Sequence, residues 1–238
     1  AERVSASQDN VHFWLYGSSH VSISNSNVFA VIHYGGSFEA KNSSISVLQI
    51  FQSGSANISS SHINSLLNWG SAEVIVSDSA ITAFNTDYQS LVQFVNSTYN
   101  YPSIMGGSRV TVSWYLRVHV VDGAAQNIPN ANVTATYANT TIAQSKLTDT
   151  NGVTRLTLME KTLNASGQYP VGNYTAEATH IIYSNSTTVN MTGNREITLK
   201  LSSVIVPEFQ SFLILPLFMG ATMMAIIVLK RKRRAQFV

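Results

Sequence analysis

The chain has 238 residues, no cysteine, and fourteen Lys plus Arg against twelve Asp plus Glu. Five of those cations are consecutive, at Lys230, Arg231, Lys232, Arg233 and Arg234, so the residues before them are weakly acidic. This excludes a basic nucleic-acid footprint and disulfide stapling. The fold must therefore rest on buried apolar surface, in a chain long enough for two modest domains.

The first hundred residues hold 22 Ser and 10 Asn and no Pro. Such a composition is near that of disordered chain, but its apolar positions recur too regularly for disorder. The octet Val21–Val28 returns at Phe38, Ala56, Val74 and Val92, and an earlier copy starts at Val4. Its first and third positions are apolar: Val4/Ala6, Val21/Ile23, Phe38/Ala40, Ala56/Ile58, Val74/Val76 and Val92/Phe94. The sixth is Asp9 and then Ser26, Ser43, Ser61, Ser79 and Ser97; the eighth is Val11, Val28, Ile45, Ile63, Ile81 and Tyr99. Apolar residues at i and i+2 read as a strand with one buried face, and the small polar pair lets the chain turn. A further apolar group then precedes a glycine, as in Val31–Tyr34 before Gly35 and Leu66–Trp69 before Gly70. Three short strands per coil, in about six coils, make a parallel β-solenoid over 1–101 with the turn serines stacked along one corner.

This region resembles the right-handed parallel β-helices of surface proteins and polysaccharide-active enzymes. A left-handed hexapeptide solenoid would place Asn27 and His33 at positions that need aliphatic residues. The repeat is already under way at Val4, so the chain is expected to be a fragment of a longer solenoid, or else to be covered at that end by another subunit.

Beyond Tyr101-Pro102 and Gly106-Gly107 the pattern changes. Val110 to Val120 alternate as a long strand ending at Asp122-Gly123. Further strands are expected at 132–138, 140–148, 154–159, 174–182, 187–191 and 196–201, separated by turn sequences. Seven strands over 108–203 read as a β-sandwich. His119-Val120-Val121-Asp122-Gly123, Ile128-Pro129-Asn130, Thr148–Gly152 and Gly172–Ala178 together resemble the carboxypeptidase regulatory-like family. That resemblance implies an immunoglobulin- or transthyretin-like module acting as a spacer or adhesion unit, without catalysis.

Residues 204–211 read as a linker and 212–229 as an uncharged apolar run. Eighteen residues of helix at ~1.5 Å each span about 27 Å, enough for a bilayer core. The basic cluster 230–234 then acts as a stop-transfer signal. It places residues 230–238 in the cytoplasm and the bulk of the chain outside, with membrane lipid as a partner. Val206 with Pro207, Glu208 and Phe209, the apolar run and the basic cluster resemble the PEF-CTERM class of archaeal sorting signals. The resemblance implies an archaeosortase-like processing enzyme as a partner and a lipid in exchange for the helix.

Nine Asn-x-Ser/Thr glycan acceptors lie on the expected exterior side: Asn42, Asn57, Asn96, Asn132, Asn139, Asn164, Asn173, Asn185 and Asn190. Asn139, Asn164 and Asn185, in polar loops, are the stronger candidates; Asn42, Asn57 and Asn96 can instead serve turns. No catalytic, metal or cofactor site is expected. The six histidines (His12, His20, His33, His62, His119, His180) lack metal spacing and read as surface or turn residues. Asp9, Asp78 and Asp87 are the carboxylates nearest to glycosidase chemistry, which needs a pair about 5–10 Å apart. At ~4.8 Å per coil, Asp9 and Asp78 would be nearly 20 Å apart.

The expectation is thus an all-β surface protein: β-helix outermost, β-sandwich stalk, one anchoring helix. Its function is adhesion or envelope structure, through surface glycans, other envelope proteins or self-association. The alternative is the C-terminal part of a polysaccharide hydrolase or lyase whose catalytic coils precede Ala1.

Overall fold

The computed structural model describes residues 2–3, 12–17, 20–100 and 102–202. The first repeat copy at 4–11 with Asp9, the 207–209 motif, the apolar run 212–229 and the basic cluster 230–234 lie outside the described residues. Those described form only strands and turns. Among them no helix is long and apolar enough to cross a membrane.

In chain order the strands are β1 (Glu2–Arg3), β2 (His12–Tyr16), β3 (His20–Ser24), β4 (Asn27–Tyr34), β5 (Ser37–Lys41), β6 (Ser44–Phe51) and β7 (Ser55–Ser59). There follow β8 (His62–Trp69), β9 (Glu73–Ser77), β10 (Ala80–Asp87), β11 (Leu91–Val95), β12 (Thr98–Tyr99) and β13 (Pro102–Ile104). The remainder are β14 (Arg109–Asp122), β15 (Asn132–Tyr137), β16 (Ile142–Leu147), β17 (Val153–Asn164), β18 (Gly167–Pro170), β19 (Asn173–His180), β20 (Tyr183–Asn190) and β21 (Arg195–Leu201).

The first part is a β-solenoid of about five turns. Odd-numbered strands β1 to β11 stack in parallel as one sheet, and β2, β4, β6, β8 and β10 as the other, which β12 and β13 continue. Each coil has two strands, not the expected three. The second and third apolar groups belong to one eight-residue strand that turns a corner. At the corner, Phe29, Ser46, Asn64 and Thr82 drop out of the ladder. The inward face changes phase there, so adjacent Ala30 and Val31 are both buried. A period-two count alone could not reveal that a strand bends without breaking.

The expected inward pairs do form the core, from Val21/Ile23 to Val92/Phe94, with Ile45, Ile63 and Ile81 beside them. Ile58 is fully buried in register between Ala40 and Val76. The fifth repeat position, at Asn25, Asn42, Ser60, Asp78 and Asn96, is left-handed with φ of 47–51°. Four of these five are Asn or Asp, whose short polar side chains tolerate that conformation. The next position carries the serine ladder. The backbone N–H groups of Ser26, Ser43, Ser61 and Ser79 donate to the hydroxyls of Ser43, Ser61, Ser79 and Ser97 one coil on. Each of those hydroxyls donates in turn to the carbonyl two residues before it. Buried polar groups at the corner are thereby satisfied coil by coil.

No chain break separates this ladder from the second part. The start of β14 pairs with β11 as the final rung (Leu91↔Arg109 to Val95↔Ser113). Further along the same strand, Leu116 to Asp122 pair in parallel with β21, and β17 runs antiparallel to β14. Val110, Val112 and Leu163 accordingly belong to the solenoid core. A second core begins at Leu116 and joins β14, β17 and β21 to an antiparallel sheet ordered β16-β15-β19-β20. Trp114 packs against both cores. The strand at Thr154 runs on to Asn164, β18 was not legible in the sequence, and β19 ends at His180 rather than Ile182. Ile181-Ile182 are a tight turn into β20, where the sequence offers no Gly, Pro or Asn to mark one.

Candidate functional site

The outward surface of the solenoid carries an ordered column of aromatic side chains. The last residues of β2, β4, β6 and β8 lie at the corner that ends each strand: Tyr16, Tyr34, Phe51 and Trp69. Ladder pairing fixes Tyr16 opposite Tyr34 and Tyr34 opposite Phe51. Their rings stack at 5.2 Å and 4.8 Å between centroids, nearly parallel; Trp69 then meets Phe51 edge-on at 5.6 Å. Offset stacking and edge-to-face contact are the favourable arrangements for such rings. Asp87 takes the place after Trp69 and ends the column.

The turns behind these rings are held close by glycine. Gly70 has φ +94°, and a Cβ there would lie 2.6–2.8 Å from the Gln52 backbone one coil below. The result is a shallow crevice of about 440 Å³ lined by Tyr16, Gly17, Tyr34, Gly35, Gly36, Gln52 and Ser53. Its lining combines the Tyr16 and Tyr34 rings with backbone groups, the Gln52 amide and the Ser53 hydroxyl. The sequence held the signal, an aromatic before the turn in four successive coils, at Tyr16, Tyr34, Phe51 and Trp69. The apolar group before the glycine does not by itself show which of its members points outward, because the corner's phase change is not legible in the sequence.

The odd-numbered sheet presents a smaller crevice of about 280 Å³, with Glu39, Asn57 and Glu73 along it. Glu73 accepts from Gln93 Nε2 at 2.9 Å, and His20 Nδ1 pairs with Ser37 Oγ at 2.7 Å. Among the described residues no three His, Asp or Glu side chains come together as a metal site. Asp78 and Asp87 flank opposite ends of β10. Asp78 accepts from Asn96 Nδ2 at 2.6 Å and from the Tyr115 hydroxyl at 3.2 Å. Asp87 caps the Tyr88 N–H.

His33 departs from the surface reading given to the histidines. It is fully buried, neither ring nitrogen has a hydrogen-bond partner, and burial lowers its pKa, with the Gly36 backbone opposing in part. Its column in the interior runs Leu15, His33, Ile50, Asn68, Thr86 and Ile104. Among the other histidines, His20 and His62 are exposed and His119 and His180 half-buried; His119 pairs with Asn127 Oδ1 at 2.7 Å.

The glycan acceptors divide by surroundings. Asn42, Asn57, Asn132, Asn139, Asn164, Asn173, Asn185 and Asn190 are exposed. Asn96 is half-buried and engaged at both ends, donating to Asp78 and accepting from Asn194 Nδ2 at 2.6 Å. It is a structural tie at the junction. There Arg155 also lies over the Tyr115 ring at 4.1 Å and Trp114 Nε1 donates to Glu160 at 2.6 Å. Burial and the neighbouring Asp78 both raise the Tyr115 pKa.

No protein-family model matches the chain, and no curated protein sequence matches it. Among solved structures, a shaft pilin SpaA from Lactobacillus rhamnosus GG (D295N mutant) matches at 13% identity and TM-score 0.32. That match covers 37% of this chain and 47% of the pilin. The Bacillus anthracis TIE protein matches at 19% identity and TM-score 0.31, over 45% of this chain and 20% of that one. The chain thus spans under half the length of either.

Proposed function

We propose that this chain is a non-enzymatic cell-surface protein that binds glycans or envelope proteins along its solenoid. The reading rests above all on the column Tyr16–Tyr34–Phe51–Trp69 and the crevice beside it. Aromatic surface alternating with amide and backbone groups suits an extended polar ligand, and a stacked scaffold presents it without ordering cost on binding. A right-handed solenoid as the contact element and a carboxypeptidase regulatory-like module as spacer complete the reading. The 212–229 run is the anchor in an archaeal envelope, with the N-terminal part outside and the C-terminus cytoplasmic, or lipid-anchored after removal of the tail.

A glycan array probed with residues 1–203 is expected to give discrete binders that Tyr34→Ala and Trp69→Ala weaken. Binders indifferent to both would move the site elsewhere; an array without binders would leave envelope proteins as the ligand. Processing of the tail has its own readout. In the native host Glu208→Ala and Phe209→Ala are expected to leave unprocessed precursor, because a retained helix would be indifferent to both. Recovery of a peptide containing Met223-Met224 from mature envelopes would show a plain single-pass anchor.

A further inference from the structure

The turn between β19 and β20 breaks the chemistry of its own hairpin. Two-residue hairpin turns favour Asn-Gly or Asp-Gly, because the left-handed conformation they need penalises other side chains. Here the turn is Ile181-Ile182, flanked by His180 and Tyr183, and Ile181 has φ +55°. No other aliphatic β-branched residue among those described has a positive φ. A β-branched side chain in that region is strained. The pair is also 86% and 82% exposed, more than any other large hydrophobic of the described residues. Such a turn carries backbone strain and buries little apolar surface in return.

Its position in the fold is defined by the strand pairing. β14 leaves the solenoid and runs to Asp122, so 122–131, 147–153 and 180–183 are the loops at the far end. β21 runs parallel to β14 and brings the chain out at that same end, at Leu201. Asn185 Nδ2 donates to Lys200 O at 2.9 Å, tying the start of β20 to this exit. The sequence leaving there enters the linker 204–211 and the apolar run 212–229. Leu147, 60% exposed, lies at the same end with Lys146 and Lys200. Asp122 and Asp149 are there too, each with one carboxylate oxygen taken up by turn N–H groups. The Asn-x-Ser/Thr triplets divide between the two ends: Asn139, Asn164, Asn173 and Asn190 lie at the solenoid end of these strands, while Asn132 and Asn185 stand in the strand starts beside the far-end loops, which themselves contain none.

We infer that the Ile181-Ile182 tip is a membrane-contacting wedge, inserting into the acyl boundary of the bilayer that holds the anchor. The inference rests on the anchor reading of 212–229. Two apolar side chains on a rigid hairpin, with Tyr183 beside them and lysines nearby, match the interfacial zone of a lipid surface. Strain at Ile181 is retained because the turn serves the membrane rather than the hairpin.

The absence of cysteine makes a clean test with the full chain in proteoliposomes. Ile182→Cys, Thr188→Cys and Gly220→Cys each receive one environment-sensitive fluorophore, and lipids carry nitroxide either at the headgroup or deep in the acyl chain. The expected result is strong quenching of 182 by the headgroup nitroxide, several-fold above 188, with 220 quenched by the deep one. Quenching at 220 with 182 no different from 188 would overturn the wedge and keep the anchor. Quenching at 182 without 220 would keep the wedge and remove the anchor; the loss of both would remove both. A second copy as the occupant would instead give a blue-shifted 182 signal that no lipid nitroxide quenches. Ile181→Asn is expected to raise the melting temperature while reducing quenching at 182, a split that a purely structural turn would not show.

Discussion

The two parts of the described chain solve one problem, covering apolar surface without cysteine, in opposite ways. In the solenoid each coil touches only its neighbours. Its core is a row of repeated positions and its corner hydrogen bonds pass from Ser26 to Ser97 one step at a time. In the second part, β14 pairs with strands more than thirty residues later and the core closes on itself. Stability should therefore be nearest-neighbour and locally breakable in the first, and all-or-none in the second.

The sharpest break is a charge in the row. Ile58→Lys strands an unpaired cation between Ala40 and Val76, and is expected to cost more than about 4 kcal/mol. Ser59→Lys, on the half-buried outward side, should cost under about 0.5 kcal/mol. Equal losses on thermal melting would mean the register is wrong.

Next come two glycines in the same conformation. A Cβ at Gly70 strikes the Gln52 backbone of the adjacent coil, and one at Gly152 (φ +68°) strikes Val120 O of β14 at 2.6 Å. Each alanine should cost about 1–3 kcal/mol. In hydrogen exchange, Gly70→Ala is expected to deprotect coils next to it and Gly152→Ala the whole second part. Uniform deprotection in both variants would erase the contrast.

A smaller effect tests the corner. Ser61→Ala removes a donor to Ser59 O and an acceptor for Ser43 N–H, with an expected loss of about 1–2 kcal/mol. Ser145→Ala removes only exposed bonds, to Asn132 Oδ1 and Thr134 Oγ1, whose partners water can satisfy, and should cost under about 0.5 kcal/mol.

The mildest is pH. His33 is held neutral by burial, so the unfolded chain binds the proton more readily than the folded one. Stability should fall as pH drops below about 6.5, by at most about 1.4 kcal/mol per unit. Facing it are Leu15, Ile50, Phe38 and Gly54, none of them titratable. His33→Leu is expected to flatten the melting temperature between pH 7.5 and 5; an unchanged slope would assign it to other groups.

Much of this contrast was legible in the residues. Strict recurrence exposed the solenoid, its inward pairs and its serine corner, because each coil must meet the same neighbours. What escaped was whatever the period does not encode. The bend at Phe29 turned Tyr34 outward and left His33 inside, and no composition rule marks a bend. Ile181-Ile182 read as strand because a turn made at a cost leaves no turn residues behind. β14 looked like the first strand of a new domain, since alternation says nothing about which partner lies on each edge.

That shared strand also decides how the protein bears load. Tension between the chain exit at Leu201 and the solenoid would draw β21 and β14 in opposite directions along one axis. Their seven paired positions, Leu116↔Arg195 to Asp122↔Leu201, would then be sheared together instead of unzipped singly. The pull would continue through Val110 and Val112 into the stacked coils with no hinge between. Force applied to the coils would thus reach Leu201 through a stiff strut rather than a tether.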